Sequence, residues 1–98
     1  MIIDLSLANK QLYAGCKIGE VGGRLNLETP PAEAVNVIGR NIAQINSMIP
    51  ASERGQVILT GPMAVWAYLV VDHAVMHSFK ELCYADGRNE LLVIARHG

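Results

Sequence analysis

A short apolar strand that runs into a helix through a Gly-Pro step constrains this chain more than any other stretch. Val57 to Leu59 is of strand type, and Thr60-Gly61-Pro62 carries helix-start chemistry. Thr60 suits the N-cap, and Pro62 suits the first helical turn, where no N–H partner is needed. Met63 to Val71 is then nine apolar residues without a break, and the helix is expected to run on to about His77. A strand feeding a helix leaves backbone N–H groups free at the helix start, where an anion such as a phosphate binds. Thr60 and Gly61 are therefore candidate binding residues. The surrounding stretch, Gln56 to His97, also holds all three histidines and the only tryptophan.

The apolar character extends beyond this stretch. Of 98 residues, 51% are hydrophobic and only 17% charged, a high apolar share for one small domain spanning 1–98. Small domains have much surface for their volume, so part of this apolar sequence is expected to lie under another subunit. The net charge of -1 argues against bulk electrostatic capture of nucleic acid and leaves a nucleotide in a local pocket open. No segment reaches the roughly 18 apolar residues that span a bilayer. The opening MIIDLS has neither a basic n-region nor a cleavage site of a signal peptide. Cys16 and Cys83 stand apart without paired spacing, which reads as reduced thiols in a cytoplasmic protein.

In chain order, Met1 to Leu7 and Gln11 to Ile18 read as two strands of an opening hairpin around Ala8-Asn9-Lys10. Gly19 to Arg24 reads as a mobile glycine-rich turn, and no GK[ST] follows it to make a P-loop. Thr29-Pro30-Pro31-Ala32-Glu33 carries helix-start signals. Val35, Ile38, Ile42, Ile45 and Ile49 then fall at helical steps along one face, until Pro50 ends the helix. Lys80 to Tyr84 and Glu90 to Ala95 are strands joined by Ala85-Asp86-Gly87-Arg88-Asn89, where Asp-Gly is a hairpin signal. The expected order is β-β-α-β-α-β-β: an α+β fold with one mixed sheet and both helices on one face.

Several residues could carry chemistry. His73 and His77 are four apart, close enough on a helix to share a metal, although the same spacing fits two polar residues at the exposed end of an apolar helix. Trp66 is core or interface material, with base stacking as the alternative. Asp86 suits turn chemistry and Arg88 solvent. His97 closes the last strand.

A resemblance gives these residues a common purpose. Gly61-Pro62 after a strand, a helix ending in histidines, Tyr84-x-Asp86-x-Arg88 and a last strand ending at His97 together resemble the small stand-alone CRISPR-associated ring nucleases of type III systems. In that family an aspartate follows the catalytic histidine by nine residues, an arginine comes two later and a histidine nine further on. His77, Asp86, Arg88 and His97 match all three intervals. The family has another histidine where this chain has Ala74, and His73, one residue away, is its candidate replacement.

The resemblance implies that His77 and Asp86 are catalytic, that Asp86, His77 and His73 hold Mn²⁺ or another divalent cation, and that Arg88 and His97 bind substrate beside Thr60 and Gly61. Each residue type suits its implied role. Hard cations favour carboxylate oxygen and accept imidazole. Arginine's planar fork matches phosphate oxygens. Histidine as a residue type moves protons near neutrality. The family fold is a ferredoxin-like, reduced version of the CRISPR-associated Rossmann-like sensor, assembled as a homodimer or homotetramer that holds its cyclic ligand between assemblies.

The expected function is a metal-dependent ring nuclease that opens cyclic tetra-adenylate and so ends the signal, with 3′ trimming of short RNA as a further activity. A cyclic-oligoadenylate sensor or sponge that does not cleave is the alternative, and an oligomeric α+β scaffold without a ligand is the third reading. If His77 and Asp86 come from different subunits, activity is expected to fall steeply on dilution.

Overall fold

A computed structural model describes residues 1–88 and 90–97, so Asn89 of the expected Asp-Gly turn lies outside the described residues. The first strand, β1 (Ile2–Asp4), leads into turns and then the hairpin β2 (Ile18–Val21) and β3 (Arg24–Leu27). Helix α1 (Pro31–Ser47) and a 3₁₀ turn (Ala51–Glu53) precede β4 (Gln56–Thr60), α2 (Val65–Val75), β5 (Glu81–Ala85) and β6 (Leu91–Arg96). The fold is α+β, with one mixed four-stranded sheet in the order β1-β4-β5-β6 and two helices. It is consistent with the expected ferredoxin-like or reduced Rossmann-like arrangement. Among the described residues, no helix is long and apolar enough to cross a membrane.

The sheet order explains where the helices go. β1 and β5 flank β4, both parallel to it, and β6 runs antiparallel on the outside of β5. The crossovers β1-α1-β4 and β4-α2-β5 step the same way across the sheet, so right-handed connections put both helices on one face. There α1 packs against α2. The buried stripe of α1 is Ala34, Ile38 and Ile42, meeting Val71 and Val75 of α2 over Ile3, Val57, Leu59 and Leu82 of the sheet. Each fully buried aliphatic side chain contributes about 1.5–3 kcal/mol, and this layer holds the molecule together. Val35, expected in the same stripe, is 37% exposed at its edge.

The opening hairpin expected from residues 1–7 and 11–18 does not form. β1 pairs with β4 instead, and residues 9–16 make successive turns. Leu12 and Tyr13 are neighbours and both buried, which a strand with alternating faces cannot achieve. Asn9 accepts from the Leu12 N–H at 3.2 Å, and the Tyr13 hydroxyl donates to the Leu5 carbonyl. Asn41 on α1 fastens the segment by donating to the carbonyls of Leu12 and Ala14, both at 2.8 Å. The hairpin lies later, in the segment expected to be a mobile turn. Gly22 and Gly23, at φ of 59° and 80°, supply the two positive φ values of a tight turn between β2 and β3. The chain thus has one strand more than expected before α1.

The start and end of α2 also differ from expectation. Thr60 does not cap the helix: it is the last residue of β4, and its hydroxyl donates to the Ala85 carbonyl of β5 at 2.9 Å. Gly61 then turns at φ of 104°, and Ala64 is the N-cap without any side-chain hydrogen bond. A Cβ on Gly61 would overlap the Asp4 carboxylate and come within 2.9 Å of the Ser6 nitrogen and 3.1 Å of the Leu5 nitrogen. Only glycine lets β1 and β4 approach so closely at this corner. The helix stops at Val75, two residues short of His77.

Candidate functional site

The parallel strands β1, β4 and β5 all point their carboxyl ends the same way, and ligands of parallel sheets bind off such ends. Three of the expected site residues are here. Thr60, Gly61 and Asp86 line a cleft of about 180 Å³ with Pro62, Tyr84 and Gly87. Asp86 Oδ1 accepts from the Arg88 backbone N–H at 2.8 Å, which fixes the carboxylate and starts the turn that carries the arginine. Two further side chains belong to this end. Asp4 accepts from the backbone N–H and hydroxyl of Ser6 at 2.8 and 2.9 Å, and the Tyr68 hydroxyl donates to the Gly61 carbonyl at 2.5 Å. Burial pushes the Tyr68 hydroxyl above its ordinary pKa, with Tyr84 and Asp4 adding to the effect. Its ring meets that of Tyr84 edge-on, 5.5 Å between centroids. Had β1 been read as a parallel strand, Asp4 at its end would have stood out from sequence alone.

His77 and His97 meet at the opposite end of the sheet. His77 sits in the turn after α2, and His97 directly follows β6, its backbone N–H donating to the Lys80 carbonyl at 2.6 Å. Their rings lie 5.4 Å apart between centroids. The turn that carries His77 is fastened from α1, because Asn46 donates to the Ser78 hydroxyl at 2.9 Å and to the Ala74 carbonyl at 3.3 Å. Arg54 donates to Asn46 in turn, at 2.9 Å, and spreads over the Phe79 ring. The His97 Nε2 atom is buried and has no hydrogen-bond partner.

Next to this pair, His97 lines an open cavity of about 430 Å³ with Gln56, Lys80, Glu81 and Arg96. Lys80 and Arg96 are cations that sequence reasoning passed over, and the antiparallel register that sets Arg96 beside Glu81 is what would have paired them. Glu81 lies below the usual carboxylate range, chiefly because Gln56 donates to it at 2.7 Å, with Cys83 and Arg96 assisting. Burial raises the Cys83 thiol beside it, so this cysteine is no ready nucleophile.

One subunit therefore does not gather the expected set. β5 has five residues at about 3.3 Å each, so its two ends stand about 15 Å apart, with Asp86 beyond one and His97 near the other. His73 joins neither group. It lines a shallow groove between the helices with Val35, Gly39, Ala43 and Val70. Among the described residues, no three His, Cys, Asp or Glu side chains converge as metal ligands. The paired imidazoles and the orphan His97 nitrogen suit part of a metal shell. Without a carboxylate beside them they do not complete one for a hard cation such as Mn²⁺. Comparison with protein-family models, curated proteins and solved structures finds no match for this chain.

Proposed function

We propose that the chain is a cytoplasmic ring nuclease that opens cyclic tetra-adenylate, and that its site is completed between subunits. The observation that carries this reading is the pairing of His77 with His97. These residues are 20 positions apart in sequence, were matched by the family resemblance, and meet at 5.4 Å with one ring nitrogen buried and unpartnered. Lys80 beside them favours an anionic ligand, Arg96 being paired with Glu81, and a phosphodiester is the anion that the family resemblance implies.

In this reading a ribose 2′-hydroxyl or a water attacks phosphorus and gives up its proton to one imidazole of the His77–His97 pair, while the other gives a proton to the oxygen that leaves. Arg88, presented by the Asp86 turn, holds the non-bridging oxygens in its planar fork. Thr60 and Gly61 border the cleft that would take an adjoining nucleotide. The His77–His97 end of one copy and the Asp86–Arg88 turn of another must come together for all four residues to touch one phosphate. A divalent cation would neutralise phosphoryl charge, and among the described residues of one chain no three candidate ligands converge to hold it. A non-cleaving sensor or sponge is the second reading, favoured by the separation of Asp86 from the histidines within one subunit.

His77→Ala separates the two. Titration calorimetry against cyclic tetra-adenylate should give affinity within a few-fold of wild type, while turnover is lost. Wild-type protein that binds the ring and never turns it over is the sponge. Protein that neither binds nor cleaves it contradicts both readings.

A further inference from the structure

The cleft over Gly61 does not stop at Pro62. A second cavity, of about 460 Å³, opens beside that proline and is lined by Ser6, Leu7, Ala8, Arg24, Leu25 and Pro62. The two cavities meet at Pro62 and make one furrow across the carboxyl ends of β5, β4 and β1. Neighbouring strands lie about 4.8 Å apart, so the crossing from β5 to β1 is roughly 10 Å, a span that one nucleoside bridges. The hairpin β2–β3 closes the far end. Its tight turn at Gly22 and Gly23 sets Arg24 at the start of β3, opposite Val21. The ion pairs among the described residues are Lys17 with Glu28 and Arg96 with Glu81, so Arg24 lines the cavity with its charge uncompensated.

We infer that an oligoadenylate lies along this furrow and that Arg24 holds one of its phosphates, one nucleotide on from the phosphate at the Arg88 turn. Charge decides which part of the ligand goes where. Asp4 and Asp86 stand on either side of Gly61, and carboxylates there suit ribose hydroxyls rather than phosphate. The cations stand at the two ends, Arg24 beyond β1 and the turn that carries Arg88 beyond β5. A guanidinium fork matches the non-bridging oxygens of a phosphodiester. Leu7, Leu25 and Pro62 give the nucleoside beside Arg24 an apolar wall. The segment Gly19 to Arg24, which has no P-loop pattern, thus serves the ligand through one side chain. The inference takes from the proposed function only that the ligand is an oligoadenylate, and it holds whether or not the ring is cleaved.

Titration calorimetry of the full chain with cyclic tetra-adenylate, without added metal and over a series of salt concentrations, tests it on wild type, Arg24→Ala and Arg24→Lys. Arg24 is exposed, so both variants should melt with wild type by circular dichroism. Arg24→Ala should bind roughly tenfold more weakly. Its slope of log affinity against log salt should be shallower by about 0.7, the value of one single-strand phosphate contact. Arg24→Lys should keep the slope and lose part of the affinity, because the charge stays and the fork goes. Equal affinity and slope in wild type and Arg24→Ala overturns the inference and leaves the ring-nuclease reading standing. Should wild type ignore the ring, amide shifts on adding linear 5′-phosphorylated di-adenylate decide. Shifts at Leu7, Ala8 and Leu25 that Arg24→Ala abolishes sustain the role of Arg24 and overturn only the ring reading. No shift there, or one that Arg24→Ala leaves unchanged, overturns the inference as well.

Discussion

Replacing Gly61 by alanine probes the corner on which the whole strand-to-helix passage turns. At φ of 104° an alanine is strained by about 1–3 kcal/mol before any contact is considered. Its Cβ would also press on the backbone nitrogens of Ser6 and Leu5, at 2.9 and 3.1 Å. Those atoms cannot retreat freely, because the Leu5 N–H donates to the Thr60 carbonyl at 2.7 Å and so fastens the end of β1 to β4. Weakening that bond adds about 1 kcal/mol, for a total of about 2–4 kcal/mol. In a domain of this size each kcal/mol lowers the melting temperature by about 4–8 °C, so a fall of at least about 8 °C is expected. Thermal and urea unfolding followed by circular dichroism measure it. Adding Asp4→Ala should rescue little, since the obstacle is backbone. A Gly61→Ala protein that melts within about 2 °C of wild type would refute the close approach described for this corner.

Tyr13→Phe removes the hydroxyl that donates to the Leu5 carbonyl and should cost about 1–2 kcal/mol near neutral pH. Burial chiefly, with Asp4 adding, pushes the Tyr13 pKa from 10.0 to about 12. The unfolded chain therefore ionises first, and wild-type stability falls as pH rises from 10 towards 12, by about 1.4 kcal/mol at pH 11. Urea unfolding should show the gap between wild type and variant closing between pH 8 and pH 11, and a gap independent of pH contradicts the assignment. Ile42→Ala, at a fully buried position, should lose about 2–5 kcal/mol by denaturant unfolding, while Val35→Ala, 37% exposed, should lose under about 1 kcal/mol. Equal losses at the two positions would contradict the helix face assigned to the core.

What the sequence made legible was whatever depends on local pattern. The helical spacing of Ile38 and Ile42 placed α1, and the Gly-Pro step marked where β4 gives way to α2, though Gly61 first turns the chain and delays the helix to Val65. The Asp-Gly pair marked the connection between β5 and β6. Long-range pairing was not legible. Ile2–Asp4 could pair with a following strand or with one more than fifty residues away, and only burial against β4 decides. Leu12 and Tyr13 mimic a strand in composition, but side-chain hydrogen bonds from Asn9 and Asn41 to the backbone hold them in turns.

The site was half legible for the same reason. The family resemblance singled out His77 and His97, and the turn after α2 and the register of β6 on β5 bring them together. It also singled out Asp86, but intervals along a sequence do not tell which end of a strand a residue occupies. Since β5 runs from Glu81 to Ala85, Asp86 falls at the end away from the histidines. Asp4, Lys80 and Arg96 had no motif to announce them, and become visible only once strand directions are known.

Incubating the full chain with cyclic tetra-adenylate, with and without Mn²⁺, and separating the products by chromatography tests the central claim most directly. Metal-dependent linear adenylates are expected, at a specific activity that falls on dilution, as a site completed between subunits requires. An intact ring left free in solution at every protein concentration would contradict it.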